Sequence, residues 1–307
     1  MGKFEVIVIA GVVLYVAYLY QPKPPLPVTP DLDFCPSEGF EEKTQDALKL
    51  LRNDQEKNVI VFGETGVGKS SLINMIVDKQ IAETSDKAVG CTFEHQKYSF
   101  LNYNIFDTVG LGEPEGGTVS TKDAVGKLLE LITVLKSSPG INLLILVMKK
   151  GRITESLKTN YELFVNIMTE KKVPVFLVIT HADGEKEKNK WYVDNVDHFR
   201  RHKAHFHDVT TVCAKKGENV HKNMQCYFKN CYAESRYNVL TLIKKYSLAE
   251  PYQIRGLTFS KRVASMVNII TDFFGYPRTL WEELYEFLLD LGFSDVDARR
   301  KSNALFN

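Results

Sequence analysis

The residues NVIVF (58–62) run directly into GETGVGKS (63–70), and the reading of that junction decides the fold. NVIVF is a short apolar strand. GETGVGKS fits the pattern G-x-x-x-x-G-K-[ST], and Ser71 to Val77 reads as the helix that follows. Strand, loop and helix in that order is the context in which this motif cradles a phosphate chain. Gly66 and Gly68 let backbone N–H groups turn inward around phosphate oxygens with no Cβ in the way. The candidate nucleotide-binding residues are therefore Gly63, Glu64, Thr65, Gly66, Val67, Gly68, Lys69, Ser70 and Ser71. Lys69 is expected to bridge the β and γ phosphates as a catalytic cation, and the Ser70 hydroxyl to coordinate Mg²⁺.

Working outward, Tyr98 to Leu101 and Asn104 to Phe106 read as strand, and DTVG (107–110) follows. A carboxylate at a strand end beside the phosphate loop suits Asp107 to Mg²⁺, and the Gly110 N–H can sense a γ-phosphate. Thr92, within GCTFEH, can complete the metal shell as a mobile switch of catalytic importance, or can be a β-favouring threonine that leads into the next strand. The runs INLLILVM (141–148) and VPVFLVIT (173–180) lack alternation, as strands covered on both faces do. The second ends in Thr180, His181, Ala182 and Asp183. A carboxylate at Asp183 can accept both N1–H and N2–H of guanine, whereas adenine offers the wrong donor and acceptor set. His181 can stack on the base or be an exposed loop histidine. A last apolar run, 206–212, ends at Cys213, Ala214 and Lys215, whose backbone N–H groups can reach the guanine O6.

The chain has 307 residues, 44% hydrophobic and 25% charged, enough for one substantial core and a smaller annex. With 39 basic against 38 acidic residues, bulk charge gives no support to a nucleic-acid surface, and no nucleic-acid partner is expected. Five scattered cysteines do not read as a disulfide framework. Residues 6–20, VIVIAGVVLYVAYLY, carry no charge, and tyrosines cluster at the far end. This segment reads as a membrane anchor, with a cleaved signal peptide or a packed hydrophobic segment as alternatives. QPKPPLPVTP (21–30) cannot continue a helix and reads as a stiff tether. The expected organisation is an anchor over 1–21, a tether and leading helix over 22–54, a GTPase domain over 55–248, a helical extension over 249–298 and a disordered tail over 299–307. The expected fold class is α/β: a P-loop GTPase domain with a mainly parallel sheet between helices, an N-terminal transmembrane segment and a C-terminal helical extension. The expected placement is a single-pass membrane protein with its GTPase domain in the cytosol.

The order GETGVGKS, Thr92, DTVG, THAD, CAK resembles the translation-factor-related P-loop GTPases. Within that class the chain resembles the septin-like and immunity-associated nucleotide-binding GTPases, with the chloroplast import-receptor GTPases as further relatives. KGRITE (150–155) is similar to the G-R-[FY]-T-E box of the immunity-associated family. The likeness implies GTP and GDP as substrate and product, Mg²⁺ as cofactor, and a homodimer across the nucleotide faces. In such a dimer Arg152 would act as a catalytic residue on the partner's phosphates; otherwise it is a loop cation paired with Glu155. Two departures matter. His181 stands where the class usually has lysine, and Leu111 stands where small GTPases carry a water-positioning glutamine. Slow hydrolysis by a membrane-tethered switch or scaffold is one reading, and a nucleotide-binding assembly module with negligible turnover is the other.

Overall fold

Strands such as NVIVF and VPVFLVIT are apolar on both faces, so they stay out of water only between two layers of helices. A computed structural model of the chain has this arrangement. It describes residues 39–52, 55–82, 96–108, 121–183, 187–218, 220–254, 259–274, 285–286, 289 and 294–306. In chain order the elements are α1 (Phe40–Arg52), β1 (Lys57–Phe62), α2 (Lys69–Val77), β2 (Gln96–Phe100), β3 (Tyr103–Asp107), α3 (Thr121–Ser137) and β4 (Leu143–Lys149). There follow α4 (Glu155–Tyr161), continued by a π-helical stretch (Glu162–Met168), then β5 (Val175–Thr180), α5 (Lys190–Arg201), β6 (Asp208–Thr211), α6 (Lys222–Tyr246), α7 (Phe259–Phe274) and α8 (Asp295–Phe306).

The sheet has six strands in the order β2-β3-β1-β4-β5-β6. Only the β2–β3 pair is antiparallel; the other four pairings are parallel. Side chains alternate across it. Ile60, Phe62, Leu144, Leu146, Leu177 and Ile179 face a layer made by α3, α4 with its π-helical continuation, and α7. Val59, Val61, Ile145, Val147, Phe176 and Val178 face α1, α2 and α6. Each of these side chains is almost wholly buried, and burial of one such residue is worth about 1.5–3 kcal/mol.

At the amino ends of the central strands, three buried asparagines replace apolar packing. The Asn58 N–H donates to Asn142 Oδ1 at 2.8 Å, and its side-chain amide donates to the Gly140 carbonyl at 2.6 Å and Ser138 Oγ at 3.2 Å. Asn104 Nδ2 donates to Asn58 Oδ1 at 3.1 Å, and Asn142 Nδ2 to the Leu248 carbonyl at 2.9 Å. The chain thereby ties β3, β1, β4 and the segment after α6 in one register.

The expected membrane anchor over 1–21 lies outside the described residues. Among the described residues no helix is long and apolar enough to cross a membrane. The architecture is accordingly corrected: the described residues form an α/β fold with a mainly parallel sheet and no transmembrane segment among them, and the single-pass placement is withdrawn. At the other terminus, α8 occupies positions where an unstructured tail from Arg299 is expected. Its first turns are fixed by buried Ala298 and Ser302, one helical turn apart, and by an Arg299–Asp295 ion pair. α7 packs Val263, Met266, Val267 and Ile270 into the core, so this part of the extension covers the domain.

The asparagine chain yields a stability prediction. Asn58→Ala leaves the Gly140 carbonyl and the Asn104 amide without their buried partner, and should cost about 2–3 kcal/mol. Urea unfolding should show a lower midpoint with an unchanged slope. A loss under about 0.5 kcal/mol would mean that the network does not hold the strands.

Candidate functional site

Parallel strands bring their carboxyl ends to one edge of the sheet, where ligands of open α/β folds bind. The register places Val61 beside Asp107, Phe62 beside Leu146, Lys149 beside Thr180 and Ile179 beside Thr211. The loops after β1, β3, β4, β5 and β6 therefore meet at that edge. These are the positions of GETGVGKS, Asp107, KGRITE, THAD and CAK.

The phosphate loop begins at Gly63, with φ +142°, where a Cβ would lie 2.1 Å from the Val147 carbonyl oxygen of β4. Gly68 adopts a left-handed conformation at the N-terminus of α2, and no side chain caps that helix end. Its first-turn N–H groups face the loop and suit an anion. Lys69 is only 9% exposed, and its ammonium donates to the carbonyls of Gly63 at 3.1 Å and Glu64 at 2.8 Å. Burial lowers its pKa, against the opposing fields of Asp107 and Glu64.

Ser70 Oγ donates to Asp107 Oδ2 at 3.1 Å, so the two expected metal ligands meet. The other carboxylate oxygen, Oδ1, is buried and has no hydrogen-bond partner among the described residues. Burial raises the Asp107 pKa, with Lys69 and the Ser70 hydrogen bond opposing it. A hydroxyl and an orphaned carboxylate oxygen are hard oxygen donors, the set that Mg²⁺ takes. The donors present thus fit that ion. The other candidate ligand, Thr92, and the γ-phosphate sensor Gly110 lie outside the described residues.

On the base side, Thr180 joins three elements. Its hydroxyl donates to the Val67 carbonyl at 2.7 Å, lies 3.2 Å from the Met148 carbonyl, and sits 3.0 Å from His181 Nδ1. His181 has φ +56° and is exposed. Its pKa is lowered by partial burial and by repulsion from Lys149 and Lys215, with Asp183 opposing. A neutral imidazole is left at neutral pH. The Asp183 carbonyl accepts a hydrogen bond from the Tyr227 hydroxyl of α6. The Cys213 N–H donates to Ser235 Oγ at 3.0 Å, while Ala214 is half-buried and Lys215 exposed.

Arg152 is exposed, and Glu155 pairs with Lys158 at 2.5 Å; no ion pair to Arg152 occurs among the described residues. Thr154 caps α4 by accepting from the Leu157 N–H at 3.1 Å, and its hydroxyl donates to the Glu64 carboxylate. Sequence reasoning finds neither this link nor the roles of Tyr227 and Ser235. A threonine one residue before an acidic helix start is a visible capping signal, but its second partner, ninety residues away in the chain, is not.

The fold and this loop define a P-loop nucleotide-binding domain. The family model for the 50S ribosome-binding GTPases matches residues 58–181, less than half of the chain, and supports GTPase activity. Among curated proteins, GTPase Era of Actinobacillus pleuropneumoniae serotype 5b (strain L20) is 27% identical over 175 residues, 55% of this chain and 54% of that one. GTPase Era of Haemophilus ducreyi (strain 35000HP / ATCC 700724) is 27% identical over 164 residues, 53% of this chain and 50% of that one. The chain thus spans about half the length of the curated relatives it matches. Among solved structures, a dimerization-deficient mutant of Toc33 from Arabidopsis thaliana aligns with TM-score 0.44 and 17% identity, over 67% of this chain and 93% of that one. Era in complex with MgGDPNP and nucleotides 1506–1542 of 16S ribosomal RNA aligns with TM-score 0.42 and 14% identity, over 64% and 58%.

Two expectations are corrected. The septin-like and immunity-associated placement is withdrawn, because the curated proteins that this chain is similar to are GTPase Era of several bacteria. The KGRITE box behind that placement lies within the matched region, and its Thr154 caps α4 and bonds Glu64 of the phosphate loop. The exclusion of nucleic acid is also withdrawn, because a near-zero net charge does not speak against local patches.

The electrostatics at His181 can be measured. Because its folded pKa lies below the ordinary value of 6.5, the neutral form is favoured on folding. The stability so gained is present above about pH 6.5 and is lost as the pH falls through the folded pKa. NMR titration of the nucleotide-free protein should place His181 below 6.5, and Lys149→Gln should move it upward. An unmoved value in that variant would remove Lys149 as a cause.

Proposed function

We propose that this domain binds guanine nucleotide with Mg²⁺ and hydrolyses GTP slowly to GDP and phosphate. The observation that carries the reading is the pairing of Ser70 with Asp107 beside a buried Lys69, with one buried carboxylate oxygen left over. Gly63, Glu64, Thr65, Gly66, Val67, Gly68 and Ser71 wrap the phosphates through their backbone. Lys69 leaves the Gly63 and Glu64 carbonyls and places its charge on the phosphate oxygens, where developing charge is stabilised. Mg²⁺, when bound, would neutralise the phosphates, held by Ser70 and Asp107 with Thr92 as a further ligand. Gly110 senses the γ-phosphate.

Asp183 reads the guanine edge, Ala214 and Lys215 offer N–H groups to O6 while that of Cys213 is held by Ser235, and Thr180 braces His181 where that ring covers the base. Among the described residues the Asp183 carboxylate has no hydrogen-bond partner, and Tyr227 fixes its backbone. Competition of labelled GDP should show GTP displacing at least tenfold better than ATP, and Asp183→Asn should bring the two within about threefold. Equal displacement from the unaltered protein would rule out guanine selectivity.

Leu111 cannot orient water, so turnover is expected to need a second protomer closing over the nucleotide face. Arg152 is exposed and not ion-paired among the described residues, and we assign it to the partner's phosphates. Turnover per molecule should rise with protein concentration, and Arg152→Ala should cut the concentration-dependent part at least tenfold, or about 1.4 kcal/mol. A flat dependence would exclude the dimer. Negligible turnover at saturating GTP would favour an assembly module that binds nucleotide without consuming it.

A further inference from the structure

The loop that follows β6 is held at a second point, by the far end of α2. Asp78 is the C-cap residue of that helix, in a left-handed conformation with φ +59°, and its N–H donates to the Asn74 carbonyl. Its carboxylate meets three groups. Lys216 Nζ lies 2.9 Å from Oδ1, the Tyr232 hydroxyl donates to the same oxygen at 3.2 Å, and Arg236 Nη1 stands 3.6 Å from Oδ2. The Arg236 guanidinium also donates to carbonyls in the last turn of α2, those of Met75 at 3.0 Å and Ile76 at 3.3 Å. On the other side of the ion pair, the Lys216 ammonium sits 5.2 Å from the centroid of the Tyr232 ring. The nucleotide reading gives Asp78 and Lys216 no task.

We propose that Asp78 is a positioning residue for guanine selectivity: by holding Lys216 it fixes the adjoining Ala214 and Lys215, whose N–H groups are assigned to guanine O6. The inference rests on the guanine reading proposed above. An N–H held in place donates to O6 and opposes the amino group that adenine carries at the same position. A loop that can swing away does neither well, so it loses affinity for guanine and tolerates adenine. The phosphates are bound at the other end of α2, and the loss should fall on the base alone.

An isolated ion pair between side chains 47% and 43% exposed would count for little. Here the carboxylate is fixed before Lys216 reaches it. Arg236, with a side chain only 11% exposed, and Tyr232 hold Asp78 from α6, so only the lysine has to be ordered. Burial works to raise the Asp78 pKa, but the Lys216 hydrogen bond and then the Arg236 charge hold it below its ordinary value. The carboxylate is therefore charged at neutral pH.

The full-length protein is compared with Asp78→Asn, Lys216→Gln, the double variant and Lys216→Arg. Asparagine suits a left-handed C-cap, so the first change removes the charge and keeps the backbone. GTP and ATP compete against labelled GDP, and amide hydrogen exchange is followed without nucleotide. We expect each charge-removing single variant to lower the GTP-over-ATP preference about fivefold, with ATP affinity moving less than about twofold. The double variant should lower it no further, and Lys216→Arg should keep it. The amides of residues 213–216 should exchange at least about tenfold faster in those single variants, with those of α2 unchanged. An unchanged preference, equal losses of GTP and ATP affinity, or additive losses in the double variant would overturn the proposal. If the unaltered protein has no preference for GTP over ATP, the guanine reading falls and the selectivity role with it. Exchange at 213–216, which needs no nucleotide, would then decide whether Asp78 holds the loop.

Discussion

The closest constraint in the domain is between two backbones. Gly63 leaves β1 where a Cβ would stand 2.1 Å from the Val147 carbonyl oxygen, so the phosphate loop can start there only while β4 lies tight against β1. The rest of the site hangs on that approach. It sets the loop over the sheet edge, puts Lys69 within reach of the Gly63 carbonyl, and brings Thr180 of β5 close enough to hold Val67. The asparagine chain at the opposite strand ends keeps the same strands in register. One end of the sheet is thus fixed by polar side chains and the other by a missing one.

The site is arranged for a ligand at some expense of intrinsic stability. A buried ammonium rests on two carbonyls, and a buried carboxylate carries one oxygen with no partner among the described residues. Burial alone works against both charged forms, lowering the pKa of Lys69 and raising that of Asp107. Isolated in a protein interior, such groups are costly. A bound polyphosphate with its cation would supply opposite charge to each, which accounts for their persistence as the kind of local conflict that functional sites retain.

The base side is organised differently, by contacts from a helix late in the chain. α6 packs on α1 and α2, and its Tyr227–Cys231–Ser235 stripe reaches both loops that would frame the base. Lys188 and Glu234 add an ion pair beside it. Loops held by one helix in this way share its position. The phosphate side, braced instead by Thr154 against Glu64, is mechanically separate from that stripe.

By sequence alone the chain settles its layers and its phosphate loop. Unalternated strands demand helices on both faces, and the G-x-x-x-x-G-K-S spacing is local chemistry that works over eight residues. The position of Asp107, Thr180 and Asp183 at or just past strand ends is legible for the same reason, each following an apolar run. The resemblance drawn from KGRITE was less secure, because a capping threonine before an acidic residue recurs in unrelated settings. The reading of residues 1–21 rests on hydropathy and a tyrosine cluster, and that segment lies outside the described residues. Only the tertiary structure decided that Thr154 meets Glu64, that Thr180 bridges three elements, and that Ser235 holds the Cys213 backbone. Those partners lie 90, 113 and 22 positions apart, and the last is chosen by which face of α6 turns inward. Periodicity can say that a helix has a face, but which loops that face touches is fixed by the packing of the whole sheet.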